Sequence, residues 1–241
     1  MIHIVIHGTG RMAAAIAAAV ADRDDVSISA LVGPQAPEWE TKIPWFSSFA
    51  DLSGLPDLLI DFTLPEGTRA AAIWCASNKV PLLSGVTGIP ADIVEALNSA
   101  ALCVPVLWSP NLSLGVNLLA DLAGRAATIV EQASAVIIED IHHQWKKDAP
   151  SGTALMLGAR IAEERSDDDS AISYQSVREG EIIGVHTVTF KMNGEEFDLV
   201  HRAHDRSIYA LGALDAGDWL TGQAPGLYSA RDWLSGRRQG S

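Results

Sequence analysis

The first 110 residues alternate between short runs rich in Val, Ile and Leu and longer segments with helical spacing. Nearly continuous apolar runs are typical of parallel strands that are buried on both faces. Parallel strands are joined by long crossovers, so helices must cover both faces of the sheet. The pattern predicts a doubly wound α/β domain. The predicted strands cover 2–6, 26–32, 57–63, 80–84 and 103–108, and the predicted helices cover 11–21, 66–77 and 91–100.

The pattern changes after residue 109, where longer helices and more polar strands follow. Asn193 and Gly194 separate the last two apolar-polar runs, and Asn-Gly between such runs is a strong hairpin signal. An antiparallel or mixed sheet is therefore predicted for this part of the chain. The predicted strands cover 134–142, 172–178, 184–190 and 196–202, and the predicted helices cover 114–131, 153–164 and 207–220.

The chain carries a net charge of -13 with a pI of about 4.8, so its surface repels phosphate backbones and anionic lipid. For this reason we expect no nucleic-acid partner. We also expect no membrane partner, because the longest apolar runs, such as 12–21, are too short to span a bilayer. The start of the chain lacks a basic leader region, and a cytoplasmic location is expected. Cys75 and Cys103 lie in apolar surroundings and are predicted to be buried small hydrophobes.

The segment Gly8-Thr9-Gly10-Arg11-Met12-Ala13 fits G-x-G-x-x-A, directly after a predicted strand and directly before a predicted helix. In that context glycines let the backbone approach a pyrophosphate, and the helix N-terminus supplies free N–H groups. The alternative is a tight turn without a ligand. The acidic residue that usually follows the second strand is missing from 30–37, and no Arg replaces it there. NADH and NADPH therefore both remain open as the cofactor.

A second cluster of polar and ionisable residues lies between His142 and Thr153. The sequence Ser151-Gly152-Thr153 reads as a helix start that could receive an anion, and Lys146 would add a positive charge, which together suit a carboxylate. His142 and His143 leave the end of a strand with side chains on opposite sides, and a histidine can supply a proton near neutral pH. No carboxylate or thiolate completes a metal-ligand set at a suitable spacing, so no metal is expected.

These blocks, taken in order, resemble the dihydrodipicolinate reductase family, also called 4-hydroxy-tetrahydrodipicolinate reductases. The most specific blocks are DFTLPEGT (61–68), GVTG (85–88), SPNLSLGVNLL (109–119), EDIHHQWKKDAPSGTAL (139–155), SVREGEIIGVHTVTF (176–190), HRAHDRSIYALGA (201–213) and PGLYSARDWL (225–234). The resemblance implies a Rossmann-like dinucleotide-binding domain over 1–110, with 207–241 returning to it. It also implies an inserted α+β domain over 111–206 that binds substrate and forms a homotetramer through its sheet.

The resemblance further implies reduction of a cyclic imine dicarboxylate by NADH or NADPH in the diaminopimelate route to lysine, with domain closure joining cofactor and substrate. His142 matches the family's proton donor and Lys146 its second catalytic or substrate-binding group. The residues that match the family's substrate-binding residues are His143, Ser151, Gly152 and Thr153. The residues assigned to the cofactor are Gly8, Thr9, Gly10, Arg11, Met12, Phe62, Thr63, Gly85, Val86, Thr87, Ser109, Pro110 and Asn111.

The chain departs from the family pattern at several places near the cofactor. Ala13 replaces a usual glycine, Val86 replaces a usual threonine, and Gly33 and Leu64 stand where many members carry basic residues. Two other functions stay open. An aspartate dehydrogenase or another imine or amino-acid dehydrogenase would share the first half of the chain, and a non-enzymatic NAD(P) sensor would need no proton donor.

Overall fold

The structure is a computed structural model that describes residues 1–21, 23–130, 135–165 and 172–237. The chain divides into two compact units. Unit 1 consists of Met1–Ser113 and the C-terminal part from Ser207, and unit 2 consists of Leu114–Arg206. The dinucleotide-binding role expected for 1–110 and the substrate-binding role expected for 111–206 stay predictions.

The described residues of unit 1 form a seven-stranded sheet in which every pairing is parallel. Its strands are β1 (Ile2–His7), β2 (Val26–Val32), β3 (Trp45–Phe46), β4 (Leu58–Asp61), β5 (Leu82–Ser84), β6 (Pro105–Trp108) and β11 (Gly226–Tyr228). The strand order is β11-β6-β5-β4-β1-β2-β3. The chain thus moves outward in one direction from β1 to β3 and in the other from β4 to β6, which is the doubly wound arrangement predicted from the sequence.

Successive residues of a strand point to opposite faces of the sheet. Apolar residues on both faces are covered by helices. Ile4 and Ile6 join one buried cluster, and Val5 joins the other. The first cluster includes residues of helices α1 (Arg11–Val20), α6 (Ser207–Thr221) and α7 (Ala230–Arg237). The second includes residues of α2 (Pro65–Asn78) and α3 (Ala91–Ala101). The C-terminal segment therefore completes the core of unit 1.

Unit 2 contains a mixed four-stranded sheet among its described residues. Its strands are β7 (Ala135–His142), β8 (Ile172–Arg178), β9 (Gly184–Met192) and β10 (Glu195–Ala203), in the order β10-β9-β7-β8. Strands β7 and β8 are parallel, whereas β9 is antiparallel to both β7 and β10. The predicted hairpin at Asn193-Gly194 is present, with Gly194 at a φ of 87°. Helices α4 (Leu114–Ile129) and α5 (Gly152–Arg165) cover one face.

The predicted fold class is confirmed, although several details differ from the sequence prediction. Cys75 is buried as expected, but the prediction for Cys103 was wrong, because this residue is exposed in the turn after α3. The expected helix end at 131 and strand start at 134 lie outside the described residues. None of the helices in the described part of the chain is long and apolar enough to cross a membrane. The cytoplasmic location stays a prediction.

Candidate active site

The predicted cofactor residues of unit 1 gather at one edge of its sheet. Strands β1, β4, β5 and β6 are parallel neighbours, so the segments that follow them emerge on the same side. Ligands of doubly wound folds bind outside these carboxyl ends, at the point where the strand order reverses, here between β1 and β4. The residues predicted to bind the cofactor, 8–12, 62–63, 85–87 and 109–111, follow these four strands directly.

Two glycines in these segments are required by close contacts with Phe62. Gly8 has a φ of 114°, and a Cβ on it would lie 2.9 Å from the carbonyl oxygen of Phe62. A Cβ on Gly85 would lie 2.3 Å from Cε1 of the Phe62 ring. Side chains at either position would push these segments apart. The structure therefore brings Gly8, Phe62 and Gly85 together at the predicted cofactor edge.

The start of α1 has the properties of an anion-binding turn. Gly10 is the N-cap residue, no side-chain hydrogen bond from the described residues caps it, and a Cβ on it would meet nothing within 4 Å. The N–H groups of the first turn are thus accessible, and the helix dipole favours negative charge there. Arg11 is exposed, while Met12 packs partly buried against the core beneath the turn.

A cavity of about 450 Å³ opens beside this turn. It is lined by Thr9, Gly10, Arg11, Ala14, Gln35, Ala36, Glu38 and Trp39. The indole Nε1 of Trp39 donates a 2.8 Å hydrogen bond to the carbonyl oxygen of Thr9, which fastens the segment after β2 to the glycine turn. Trp39 and Glu38 were missed from the sequence because they lie beyond the usual acidic position at the end of β2.

Asp61 is a buried residue that connects other predicted cofactor segments. Its carboxylate is fully buried and accepts hydrogen bonds from the hydroxyls of Thr63 (2.6 Å), Thr68 (2.7 Å) and Ser84 (2.9 Å). His7 Nδ1 lies 3.2 Å from the same carboxylate. The ends of β4 and β5 and the start of α2 are therefore hydrogen-bonded to one buried group, and the end of β1 lies beside it.

The remaining predicted cofactor residues lie after β5 and β6. Val86 is buried and its carbonyl oxygen accepts from the indole of Trp108, while Thr87 is exposed. Ser109 donates its hydroxyl to the carbonyl oxygen of Asn111 at 2.7 Å, and Pro110 between them is exposed. The glycine turn, the uncapped helix start and the adjoining cavity fit a dinucleotide.

The second candidate site lies in unit 2, where α5 connects the parallel strands β7 and β8. In such a crossover, the helix begins beside the carboxyl end of the first strand. The chain accordingly places Ser151, at the start of α5, beside the last residues of β7. The N–H of Ser151 donates to the Asp140 carboxylate at 3.1 Å, and the Ser151 hydroxyl accepts from the N–H of Ala154 at 3.1 Å.

His142 and His143 have different surroundings, as the alternation of strand side chains requires. His142 is buried, with Nδ1 3.0 Å from Asp140 and its ring centroid 5.1 Å from that of His186. His143 is half-buried and lies near Trp145 and Arg206. Of the two, only His142 therefore has a carboxylate partner among the described residues.

Lys146 lies between the strand end and the helix start. Its Nζ forms a 2.9 Å ion pair with Asp148, and this contact lowers the pKa of Asp148. Gly152 itself is exposed, and Thr153 is half-buried. Lys146 thus already holds one carboxylate, which shows that an anion can pair with it here.

Burial dominates the titration of the histidines in this site. It lowers the pKa of His142, against a raising hydrogen bond from Asp140 and together with the positive charge of Lys146. Burial and, to a smaller extent, the nearby His142 together lower the pKa of His186 to about 4. His186 Nε2 lies 3.4 Å from the Ser151 hydroxyl. Both imidazoles therefore favour the neutral form when no ligand is bound.

Sequence reasoning missed three contributors to this site, namely Asp140, Arg178 and His186. Asp140 and Arg178 lie within blocks quoted for the family resemblance, but their contact joins two strands 38 residues apart in the chain. The i, i+2 spacing of Asp140 and His142 on one strand was a usable signal, because it places both side chains on the same face. Within the described ranges, no group of three His, Cys, Asp or Glu residues could hold a metal ion.

The doubly wound sheet and its glycine turn place unit 1 in the class of Rossmann-type domains. Two family models match the chain. Dihydrodipicolinate reductase, N-terminus, matches residues 2–112, and dihydrodipicolinate reductase, C-terminus, matches residues 115–234. The chain belongs to the dihydrodipicolinate reductase family.

Individual relatives agree with this assignment. A 4-hydroxy-tetrahydrodipicolinate reductase from Stenotrophomonas maltophilia (strain R551-3) is 42% identical over 236 residues, which cover 95% of this chain and 96% of the relative. One from Xylella fastidiosa (strain 9a5c) is 37% identical over 235 residues, covering 95% and 97%. A solved structure of a dipicolinate-bound dihydrodipicolinate reductase from Paenisporosarcina sp. TG-14 shares the fold, with a TM-score of 0.83 at 23% identity over 95% of this chain and 97% of that one.

The buried His186 should make the protein sensitive to mild acid. Since its pKa falls from 6.5 to about 4 on folding, the unfolded chain binds the proton first as the pH decreases. Stability present above pH 6.5 is therefore lost progressively down to about pH 4, by up to about 3 kcal/mol. We expect His186→Gln to flatten this decrease, measured as the free energy of unfolding in urea at pH 7 and pH 4.5. An equally steep decrease in the variant would show that His186 is not the cause of the lost stability.

Proposed function

We propose that the chain reduces 4-hydroxy-tetrahydrodipicolinate to tetrahydrodipicolinate with NADH or NADPH, in the diaminopimelate route to lysine. The observation that carries this proposal is the arrangement of His142 and Lys146 beside the start of α5. A proton donor and two cationic or helix-end partners lie together there, which is what the reduction of a dicarboxylate requires.

We assign substrate binding to unit 2. Lys146 already holds the Asp148 carboxylate, and a substrate carboxylate has the same chemistry. His143, Ser151 and Thr153 flank this place along the chain and supply further polar groups. The Ser151 hydroxyl accepts from the N–H of Ala154 and lies 3.4 Å from His186 Nε2.

His142 supplies the proton in this proposal. When bound, the reduced nicotinamide supplies a hydride to one ring carbon of the substrate. The hydroxylated ring must first lose water to give a conjugated imine. Addition of hydride to this imine leaves carbanion character in the ring, and one proton from His142 neutralises it, so that one water leaves and two hydrogens are added in all. Although burial lowers the pKa of free His142, the two carboxylates of the substrate would favour its charged form.

We assign cofactor binding to unit 1. Gly8, Thr9 and Gly10 would approach the pyrophosphate, and the start of α1 would receive its charge. Phe62, Gly85 and the segments after β5 and β6 lie on the same sheet edge. Arg11 and Glu38, which carry opposite charges, both line the adjoining cavity. The lining therefore does not favour one cofactor over the other, and the proposal includes both NADH and NADPH.

The test is the initial rate of nicotinamide oxidation by purified protein, with substrate generated in place from pyruvate and aspartate semialdehyde by its synthase. We expect oxidation with at least one of NADH and NADPH. Oxaloacetate with ammonia should give none, which separates the proposal from an aspartate dehydrogenase. No oxidation with either cofactor, in folded protein that still binds NADH or NADPH, would favour a sensor.

His142→Gln tests the assigned proton donor in the same assay. Loss of a general acid costs about 100-fold to 10,000-fold in rate. We therefore expect kcat to fall by that order while the affinity for cofactor, measured by calorimetry, stays unchanged. Turnover equal to that of the wild type would refute the role of His142.

Lys146 and Lys147 offer a matched pair of substitutions. Lys146 is half-buried in the site, whereas its neighbour Lys147 is exposed. A hydrogen bond to a charged group contributes about 1.5–3 kcal/mol, so Lys146→Gln should lower kcat/KM for the dicarboxylate by about 10-fold to 100-fold. Lys147→Gln should stay within about twofold of the wild type. Equal losses in the two variants would show that only general charge matters.

We further infer a homotetramer that forms through the open face of the unit 2 sheet. Opposite to α4 and α5, this face presents Ile137, Ile141, Val177, Val185 and Val200, none of them fully buried. Apolar side chains clustered on an exposed sheet face are typical of an interface.

Light scattering tests this arrangement. The wild type should have the mass of four 25.6 kDa chains, and Val200→Glu should reduce it. The matched control is Leu118→Glu, which places the same charge at a similarly exposed residue on α4. Dissociation by Leu118→Glu alone would show that the chains associate through α4 instead.

A further inference from the structure

Asp140 is a fully buried carboxylate beside the proposed proton donor. Its Oδ1 lies 3.0 Å from His142 Nδ1 and accepts a 2.6 Å hydrogen bond from Arg178 Nη1. Its Oδ2 accepts from the N–H of Ser151 at 3.1 Å and from the hydroxyl of Ser176 at 2.7 Å. Four groups, from strands β7 and β8 and from the residue that precedes α5, therefore surround a single carboxylate, and one of them is the imidazole of His142.

We propose that Asp140 is a positioning residue that holds His142 with a proton on Nδ1 and leaves Nε2 as the atom that delivers the proton to the substrate. The delivery step rests on the proposed reductase function. The tautomer of His142 does not, because it follows from the contacts of Asp140 alone.

The protonation state of Asp140 decides which nitrogen of His142 carries the hydrogen. Burial opposes ionisation of Asp140, but hydrogen bonds from Ser176, Ser151 and Arg178 outweigh it and lower the pKa of this carboxyl. An ionised carboxylate can only accept hydrogen bonds. His142 Nδ1 must then be the donor, and neutral His142 keeps Nε2 without a hydrogen.

The other side of the His142 ring is kept open. Among the described residues none forms a hydrogen bond with Nε2 of His142. A Cβ on Gly184 would lie 3.2 Å from this nitrogen, so the glycine at the start of β9 leaves space in front of it. The imidazole is thus held at one nitrogen and accessible at the other, as a general acid requires.

The charged groups that face His142 act in opposite directions. Asp140 on the same strand favours the protonated imidazole, whereas Lys146 and Arg178 disfavour it, and His186 lies against its ring. Burial has the largest effect and also lowers the pKa of His142. Asp140 is therefore the group that keeps the His142 proton available despite burial and two neighbouring cations.

The tautomer can be measured in the wild-type protein without any assay of activity. Histidine labelled with ¹⁵N gives two-bond ¹H–¹⁵N correlations that distinguish Nδ1–H from Nε2–H rings, and the His142 signals are those missing from His142→Gln. At a pH where His142 is neutral, we expect Nδ1 to be the protonated nitrogen. A ring protonated on Nε2 would overturn the proposal, whether or not the protein proves to be a reductase.

Asp140→Asn tests the consequence for catalysis. We expect kcat to fall by about 100-fold or more, since a wrong tautomer removes most of the general-acid contribution. Because Asp140 raises the pKa of His142, its loss should move the alkaline decline of kcat to lower pH by about one unit or more. The KM for the cofactor should not change. A decline at the wild-type pH would mean a merely structural role and overturn the proposal.

Glu179→Gln is the matched control. It makes the same change from a carboxylate to an amide, but at an exposed side chain next to Arg178 that forms no hydrogen bond or ion pair with Asp140 or His142 among the described residues. We expect kcat within about threefold of the wild type and an unchanged alkaline decline. If Glu179→Gln shifts the pH profile as far as Asp140→Asn does, a general change of charge near the pocket explains both, and the proposal fails. The isotope experiment on the wild type decides the tautomer even if Asp140→Asn does not fold.

Discussion

Each unit of this protein is arranged around one fully buried carboxylate near the carboxyl end of a parallel strand. Removing an ionised carboxylate from water costs several kcal/mol even after relaxation, so the fold must surround it with donors. Asp61 collects three hydroxyls and lies against His7, and Asp140 collects a hydroxyl, a backbone N–H, a guanidinium and an imidazole. In both units these donors come from segments that bear candidate functional residues. Satisfying the buried charge therefore also fixes the site.

This requirement explains why the sites lie where they do. In a parallel sheet, the segments at the carboxyl ends of neighbouring strands are close in space although distant in the chain. Thr63 and Ser84 reach Asp61 from two such segments. Ser151 and Arg178 reach Asp140 from the start of α5 and the end of β8. A donor on each segment ties its backbone to a common point, which gives irregular segments a defined position without regular hydrogen bonding.

The sequence predicted the elements better than the contacts between them. Runs of apolar residues are local, and so is the Asn193-Gly194 hairpin signal, which is why most strands and helices were predicted close to their observed bounds. The contact between Arg178 and Asp140 was not predicted, because the two residues lie 38 positions apart and no local pattern links them. Cys103 was misplaced for the opposite reason. Its neighbours in the chain are apolar, but the turn after α3 points it outward.

Charge also distinguishes the candidate substrate site from the rest of the molecule. The chain carries a net charge of -13, yet Lys146 and Arg178 both lie near His142, where Lys146 is paired with Asp148 and Arg178 with Asp140. Together with the start of α5 they are donors that a dianion could use on an otherwise repelling surface. The two cations also disfavour a proton on His142 until negative charge arrives. Binding of a dicarboxylate would then raise the pKa of His142 at the moment when its proton is needed, so that substrate recognition and protonation of the general acid depend on the same charges.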